Sequence, residues 1–408
     1  MKLLQINTTL KTSATGNIAF QLSEMVIEDG NESFIAYSGR YSKIKKNHNL
    51  IRIGSKFDFY WHAMMTRIFD LHGFSSTFAT KKLLKTIELL SPDIIHLHNL
   101  HGYYVNIKLL FEYLSFAKIP VVWTMHDCWA FTGHCDHFED IDCHKWKKSC
   151  SNCPQKTQYP ASYIYDNSKM NYINKKYLFN SLESLTIVPV SNWLESKLKE
   201  SFFHNYSSNV IHNGIDLDVF KISDERVFRN KFNLEDKIIL LGVASKWSRK
   251  KGFFEFLKLS KLLDDNFLIV LVGTSSKVQK NLPSNILGLP RIHDQINLAD
   301  IYSSSDLFIN LSFEDSYPTT NLEAISCGLP VITYMTGGSP ESVEENGGYV
   351  VDKGNIEQVL KSIHLILNQK NQKFSKDALR KIALKKFDNK TNFSNYLKLY
   401  KKILEAKN

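Results

Sequence analysis

Short apolar runs alternate with amphipathic stretches along this chain, and they do so twice over. Residues 2–7, 34–38, 94–98, 121–125 and 186–190 read as strands in the first half, and residues 210–212, 238–244, 267–273, 307–310 and 331–334 in the second. Strand-sized apolar runs separated by helical stretches predict doubly wound α/β units with parallel sheets. The 408 residues exceed the size at which one core stops growing, so two such domains are expected. Ligands of open parallel sheets bind beyond the carboxyl ends of the strands, and most of the unusual residues fall there.

The boundary is expected between 191 and 209, after the last strand of the first half and its following helix. This gives a first domain over 1–195 with a cysteine-rich loop at 128–153, a second over 196–385, and a final helix over 386–408. Asn213-Gly214 supplies the tight turn that opens the second domain.

The segment 312–332 carries the most chemistry. Glu314 and Asp315 precede Ser316, Tyr317, Pro318, Thr319 and Thr320, and Glu323 follows. Pro318 suits a first helical position, and Gly328 and Pro330 close the helix, which is expected from about 319 to 327. Its free amides form an anion site, and the carboxylates accept hydrogen bonds from sugar hydroxyls. A capping box, with Glu323 only satisfying a backbone N–H, explains the same residues.

After the strand at 238–244, Lys246, Arg249, Lys250 and Lys251 line a loop that enters a helix at 253. Fixed cations at a strand end suit a departing diphosphate; ordinary solvent exposure is the other reading of each. Gly337-Gly338, beyond the strand at 331–334, lets backbone amides approach a ligand closely. Gly16 lies in a loop between the first strand and a helix expected near 18. His96 and His98 end one strand, and His126-Asp127 end another.

Five of the six cysteines fall between 128 and 153. Cys135, Cys143, Cys150 and Cys153 have a spacing that could supply four thiolates to a structural zinc, with His134, His137 and His144 as substitutes. Plain reduced thiols are the alternative.

The net charge of +10 equals the excess within 353–408, where 14 Lys/Arg face 4 Asp/Glu. Such a tail reads as a solvated face or as attraction to an anionic membrane surface. The apolar start at 1–7 is too short for a signal peptide, so a cytoplasmic location is expected, at most peripheral on the inner membrane face. The tail lacks the usual zinc-finger His pattern, which argues against nucleic acid.

Asp315 and Glu323 have the acid-x7-acid spacing of family 4 glycosyltransferases, with Asp315 where the family usually has Glu. The continuation Glu323-Ala324 and Cys327-Gly328-Leu329-Pro330-Val331-Ile332 is similar to the family's, as are Asn213-Gly214-Ile215-Asp216 with Phe220, Lys251-Gly252 and Gly337-Gly338-Ser339-Pro340-Glu341. The resemblance implies the GT-B architecture, two Rossmann-like domains with an interdomain cleft, and a retaining reaction on a UDP or GDP sugar with no catalytic cofactor. It implies donor contacts from Gly16, Lys246, Arg249, Lys250, Lys251, Arg291, Ile292, the run 314–320, Glu323 and Gly338. It assigns Glu323 to the ribose hydroxyls, Arg291 and Ile292 to the base, and catalytic roles to His126, Asp127, Lys251 and Asp315. The stretch 124–135 with Cys150-Ser151-Asn152-Cys153-Pro154 resembles a subgroup related to colanic acid synthesis, implying a glycan or lipid-linked acceptor. A nucleotide-sugar epimerase, a glycan phosphorylase and a zinc-containing nucleic-acid-binding protein are the rival readings.

Overall fold

The strands are built from residues that favour a pleated surface covered on both sides, above all Val, Ile, Leu and Phe. In a computed structural model, residues 1–39, 49–224, 226–343, 346–369 and 373–407 are described. Strands β1 (Lys2–Asn7), β2 (Glu32–Ser38), β3 (Leu50–Ile53), β4 (Ile94–Leu97), β5 (Val121–Met125) and β6 (Leu185–Pro189) form one sheet in the order β3-β2-β1-β4-β5-β6. Strands β7 (Ile238–Val243), β8 (Phe267–Val272), β9 (Ile286–Leu289), β10 (Leu307–Asn310), β11 (Val331–Tyr334) and β12 (Gly348–Val351) form the other, in the order β12-β11-β10-β7-β8-β9. All pairings between these strands are parallel. Each sheet starts in its middle, winds outward, returns and winds the other way. The turning points lie between β1 and β4 and between β7 and β10, which is where such sheets open a crevice for ligands.

The expected strand at 210–212 does not form. Those residues follow β6 as an extended connection, with Asn209 N–H donating to the Ile187 carbonyl at 3.0 Å and Ile211 N–H to the Pro189 carbonyl at 3.2 Å. The sequence reading also omits the edge strands β3, β9 and β12, each four residues long.

The chain divides into two compact units, Met1–His212 with Phe393–Asn408, and Asn213–Asn392. The last helix, Asn389–Lys407, places Phe393, Tyr396 and Tyr400 in the core of the first unit among Leu3, Ile18, Ile94 and Val122. Tyr400 OH also meets His96 Nδ1 at 2.6 Å, and Tyr396 OH meets Thr124 Oγ1 at 3.0 Å. Among the described residues, no helix is long and apolar enough to cross a membrane.

Candidate active site

Because β7 and β10 are hydrogen-bonded neighbours, the basic loop after one and the acidic loop after the other leave the second sheet side by side. Backbone contacts lock them together. Phe313 N–H donates to the Lys250 carbonyl at 2.8 Å, and Gly252 adopts a left-handed φ of 73° where a Cβ would lie 2.2 Å from the Leu311 carbonyl oxygen. Lys251 Nζ then meets Asp315 Oδ2 at 2.7 Å and Lys250 Nζ meets Glu314 Oε2 at 2.6 Å. The two carboxylates differ in access: the Asp315 side chain keeps 20% of its surface and that of Glu314 1%. Lys246 and Arg249 are exposed, the guanidinium of Arg249 lying over the Phe313 ring.

Gly338 N–H donates to the Asp315 carbonyl at 3.0 Å, and Thr336 Oγ1 donates to the Ser312 carbonyl at 2.8 Å. At Gly337, with φ 54°, a Cβ would stand 1.7 Å from the Asp315 oxygen, so the loop after β11 closes on the acidic loop only with glycine there. Ser316 Oγ and Ser339 Oγ are buried without a hydrogen-bond partner among the described residues.

The helix runs Thr319–Ser326, with Pro318 as the residue before it and no side chain capping it. Glu323 therefore sits in the second turn, too far along for a capping box. Its Oε2 accepts from Tyr302 OH at 2.9 Å, and burial pushes its carboxyl up to about 7 against the pull of Tyr302 and Thr319. Arg291, exposed, and Ile292, partly buried, lie between β9 and the helix Gln295–Ser303 that carries Tyr302.

In the first unit, β4 and β5 are likewise neighbours, which places His98 beside His126, Nδ1 to Nε2 at 3.3 Å. Gln5 Oε1 fixes the other nitrogen of His98 at 3.0 Å. Burial pushes His126 down to about 4, so its imidazole is neutral at physiological pH. Asp127 does not orient His126. Its Oδ2 meets His101 Nε2 at 2.7 Å, its Oδ1 accepts the Trp129 N–H at 2.9 Å, and His101 Nδ1 meets Tyr159 OH at 2.9 Å. Burial raises the Asp127 carboxyl, but the charge and hydrogen bond of His101 outweigh it and hold it at about 2. Burial likewise lowers His101, and Asp127 more than reverses the effect. The Tyr159–His101–Asp127 chain escaped the sequence reading, whose only available signal was a third histidine after β4.

Gly16 lies inside the first turn of a helix, Ala14–Glu28, that starts earlier than expected because Ser13 caps it. The Gly16 amide donates to Ser13 Oγ at 3.1 Å, and a Cβ there would lie 2.8 Å from Thr9 Oγ1.

The zinc expectation needs correction. Among the described residues no group of three or more His, Cys, Asp or Glu side chains is placed to hold a metal ion. His134 is committed to Asp70 at 2.6 Å, and Cys150 Sγ accepts the Gly133 N–H at 3.2 Å. Cys135 and Cys153 hydrogen-bond to each other, which raises the thiol of Cys135 and holds that of Cys153 at about 7.

A family model described as Glycosyltransferase Family 4 matches residues 16–219, and one described as Glycosyl transferases group 1 matches residues 224–386. The chain belongs to glycosyltransferase family 4. The transferase is 24% identical over 379 residues to the glycosyl transferase WcaC of Escherichia coli (strain K12), named for colanic acid biosynthesis, covering 90% of each chain. Its fold is that of GT-B structures. Sucrose-phosphate synthase from Thermosynechococcus elongatus superposes with a TM-score of 0.72 at 14% identity, covering all of both chains. Anabaena Alr3699/HepE in complex with UDP-glucose gives 0.69 at 15% identity, covering 98% of this chain and 100% of that one.

Proposed function

We propose that this transferase moves a sugar, with retention of anomeric configuration, from a nucleotide sugar on its second unit to a glycan or lipid-linked acceptor of a bacterial surface polysaccharide. The observation that carries the reading is the Lys251–Asp315 pair beside an uncapped helix start, at 2.7 Å. It combines a cation and amides for diphosphate with a carboxylate for hydroxyls. The likeness to WcaC supports the polysaccharide, and the UDP-glucose held by the Anabaena neighbour supports a UDP sugar ahead of a GDP sugar.

In this mechanism the bond from the anomeric carbon to the diphosphate oxygen breaks while the acceptor oxygen bonds the same face. The acceptor proton passes to the departing diphosphate, so no protein nucleophile and no metal enter the step. Lys251, helped by Lys246, Arg249, Lys250 and the amides of Thr319 and Thr320, offsets the developing charge. Asp315 accepts from the sugar, with Ser316, Tyr317, Pro318 and Gly338 shaping its pocket. Glu323 accepts from the ribose, and Arg291 and Ile292 flank the base. Neutral His126 hydrogen-bonds a hydroxyl of the transferred sugar. Glu314, buried against Lys250, positions the loop. Gly16 approaches the donor through backbone alone.

A thermal-shift screen with UDP-, GDP- and ADP-sugars tests this, because a ligand that binds only the folded state at about 100 times its Kd adds about 2.7 kcal/mol. One donor should raise the midpoint of the wild type and fail with Lys251→Ala; no rise with any donor overturns the reading. Release of nucleotide only on adding acceptor excludes an epimerase.

A further inference from the structure

Helix Lys56–Phe69 buries one face and exposes another that is the more apolar of the two. Phe59, His62, Ala63 and Thr66 face inward. On the opposite side Phe57, Tyr60, Trp61 and Met64 follow the i, i+3, i+4, i+7 spacing and are 76%, 65%, 49% and 40% exposed. A surface helix ordinarily gives its apolar stripe to the core and its polar residues to water. The outer stripe leaves much of four large apolar side chains in water. Large continuous apolar surfaces of this kind mark docking sites.

The patch extends beyond one helix. Phe78, 83% exposed, sits in the first turn of helix Thr77–Leu90. The starts of the two helices meet at Gly54, where a Cβ would lie 3.1 Å from both Asp58 Cβ and Ala79 Cβ. At the far end, the amides of Tyr163 and Tyr165 donate to the carbonyls of Arg67 and Ile68 at 2.8 and 3.0 Å, and the exposed Tyr165 ring stacks on Phe69.

Charge identifies the occupant. Lys81, Lys82 and Lys85 are exposed on the helix that carries Phe78, and residues 49–90 hold six Lys/Arg against three Asp/Glu. Trp and Tyr settle at the boundary of headgroup and acyl chain, and lysines beside them bind anionic headgroups. A second copy on this face would set lysines against lysines. The C-terminal helix offers no equivalent, since its aromatic side is inside the core.

We propose that helices Lys56–Phe69 and Thr77–Leu90 form the face by which this transferase lies on an anionic phospholipid surface. The inference does not depend on the donor chemistry. Co-flotation of the full chain with phosphatidylglycerol-containing or pure phosphatidylcholine vesicles tests it. Binding should require the anionic lipid, fall at least tenfold with Phe57→Ser plus Trp61→Ser, and fall roughly a hundredfold with Lys81→Glu, Lys82→Glu and Lys85→Glu, at about fivefold per lysine. These variants should keep the wild-type circular dichroism and the wild-type response to UDP in thermal shift. Three outcomes overturn it: no flotation of the wild type, flotation unaffected by either set, or light scattering that shows the aromatic substitutions dissolving a dimer instead.

Discussion

Lys251 Nζ lies 2.7 Å from Asp315 Oδ2, across 64 residues of sequence. The pair joins two loops that the strand order brings together, and both side chains keep some exposure, 39% and 20%. Replacing Lys251 with Ala should lower kcat by about 100- to 1,000-fold, the usual effect of removing one group that stabilises transition-state charge. Lys251→Arg should retain more activity, and steady-state kinetics with a matched donor and acceptor would separate the two.

Glu323 gives a pH signature. Its carboxyl titrates at about 7 in the folded chain, above the ordinary 4.5, because burial disfavours the charge. The raised value means that stability attributable to this group is full below about 4.5 and declines as pH rises towards 7. The carboxylate is also the form that accepts from two hydroxyls. Donor KM should therefore fall as pH rises through about 7, and Glu323→Gln should flatten that step in a KM-against-pH profile.

The Asp127–His101 pair predicts the opposite slope in acid. Asp127 is held at about 2, below its ordinary 3.8, so its stabilisation is complete above 3.8 and is lost as pH falls towards 2. His101 is raised, so its share is complete below 6.5 and is lost as pH rises from there through its folded value. Asp127→Asn should reduce stability by about 2 kcal/mol at neutral pH, as for loss of a charged hydrogen bond. Urea unfolding at several pH values would read both limbs.

Gly337→Ala places a Cβ against the Asp315 carbonyl in a left-handed conformation. The strain alone costs about 1–2 kcal/mol, and relief requires the Asp315 loop to move. Donor affinity should fall at least tenfold, measurable by calorimetry with UDP, while circular dichroism remains unchanged.

The paired thiols predict selective chemistry in place of metal binding. Cys153, held at about 7 by Cys135, should be the first of the loop cysteines alkylated by iodoacetamide, with a midpoint near that pH. A strong chelator should leave the thermal midpoint unchanged; a large drop would restore the zinc reading.

Much of the architecture was legible because buried parallel strands are short apolar runs, and β1, β5, β10 and β11 have the expected ends. The edge strands were not, because β3 and β12 have only one buried residue apiece and β9 is interrupted by Gly288. At 210–212 an apolar pair read as a strand, yet its backbone bonds go to β6 as a connection. In the segment 312–323 the residue types were visible, but which carboxylate is open and which is buried depends on how the loop packs. His101 was invisible for the same reason: Asp127, 26 residues away, gives it meaning only after β4 and β5 pair.

The last helix also sets an order of events. The first unit is left at His212 and resumed at Phe393, so three of its buried aromatics, Phe393, Tyr396 and Tyr400, are made after the whole second unit. On the ribosome, the sheet made first waits with an open seam while the sheet made second can already close. Apolar surface left bare in this way invites aggregation. Nascent-chain length, more than strand pairing, then times the completion of the amino-terminal core.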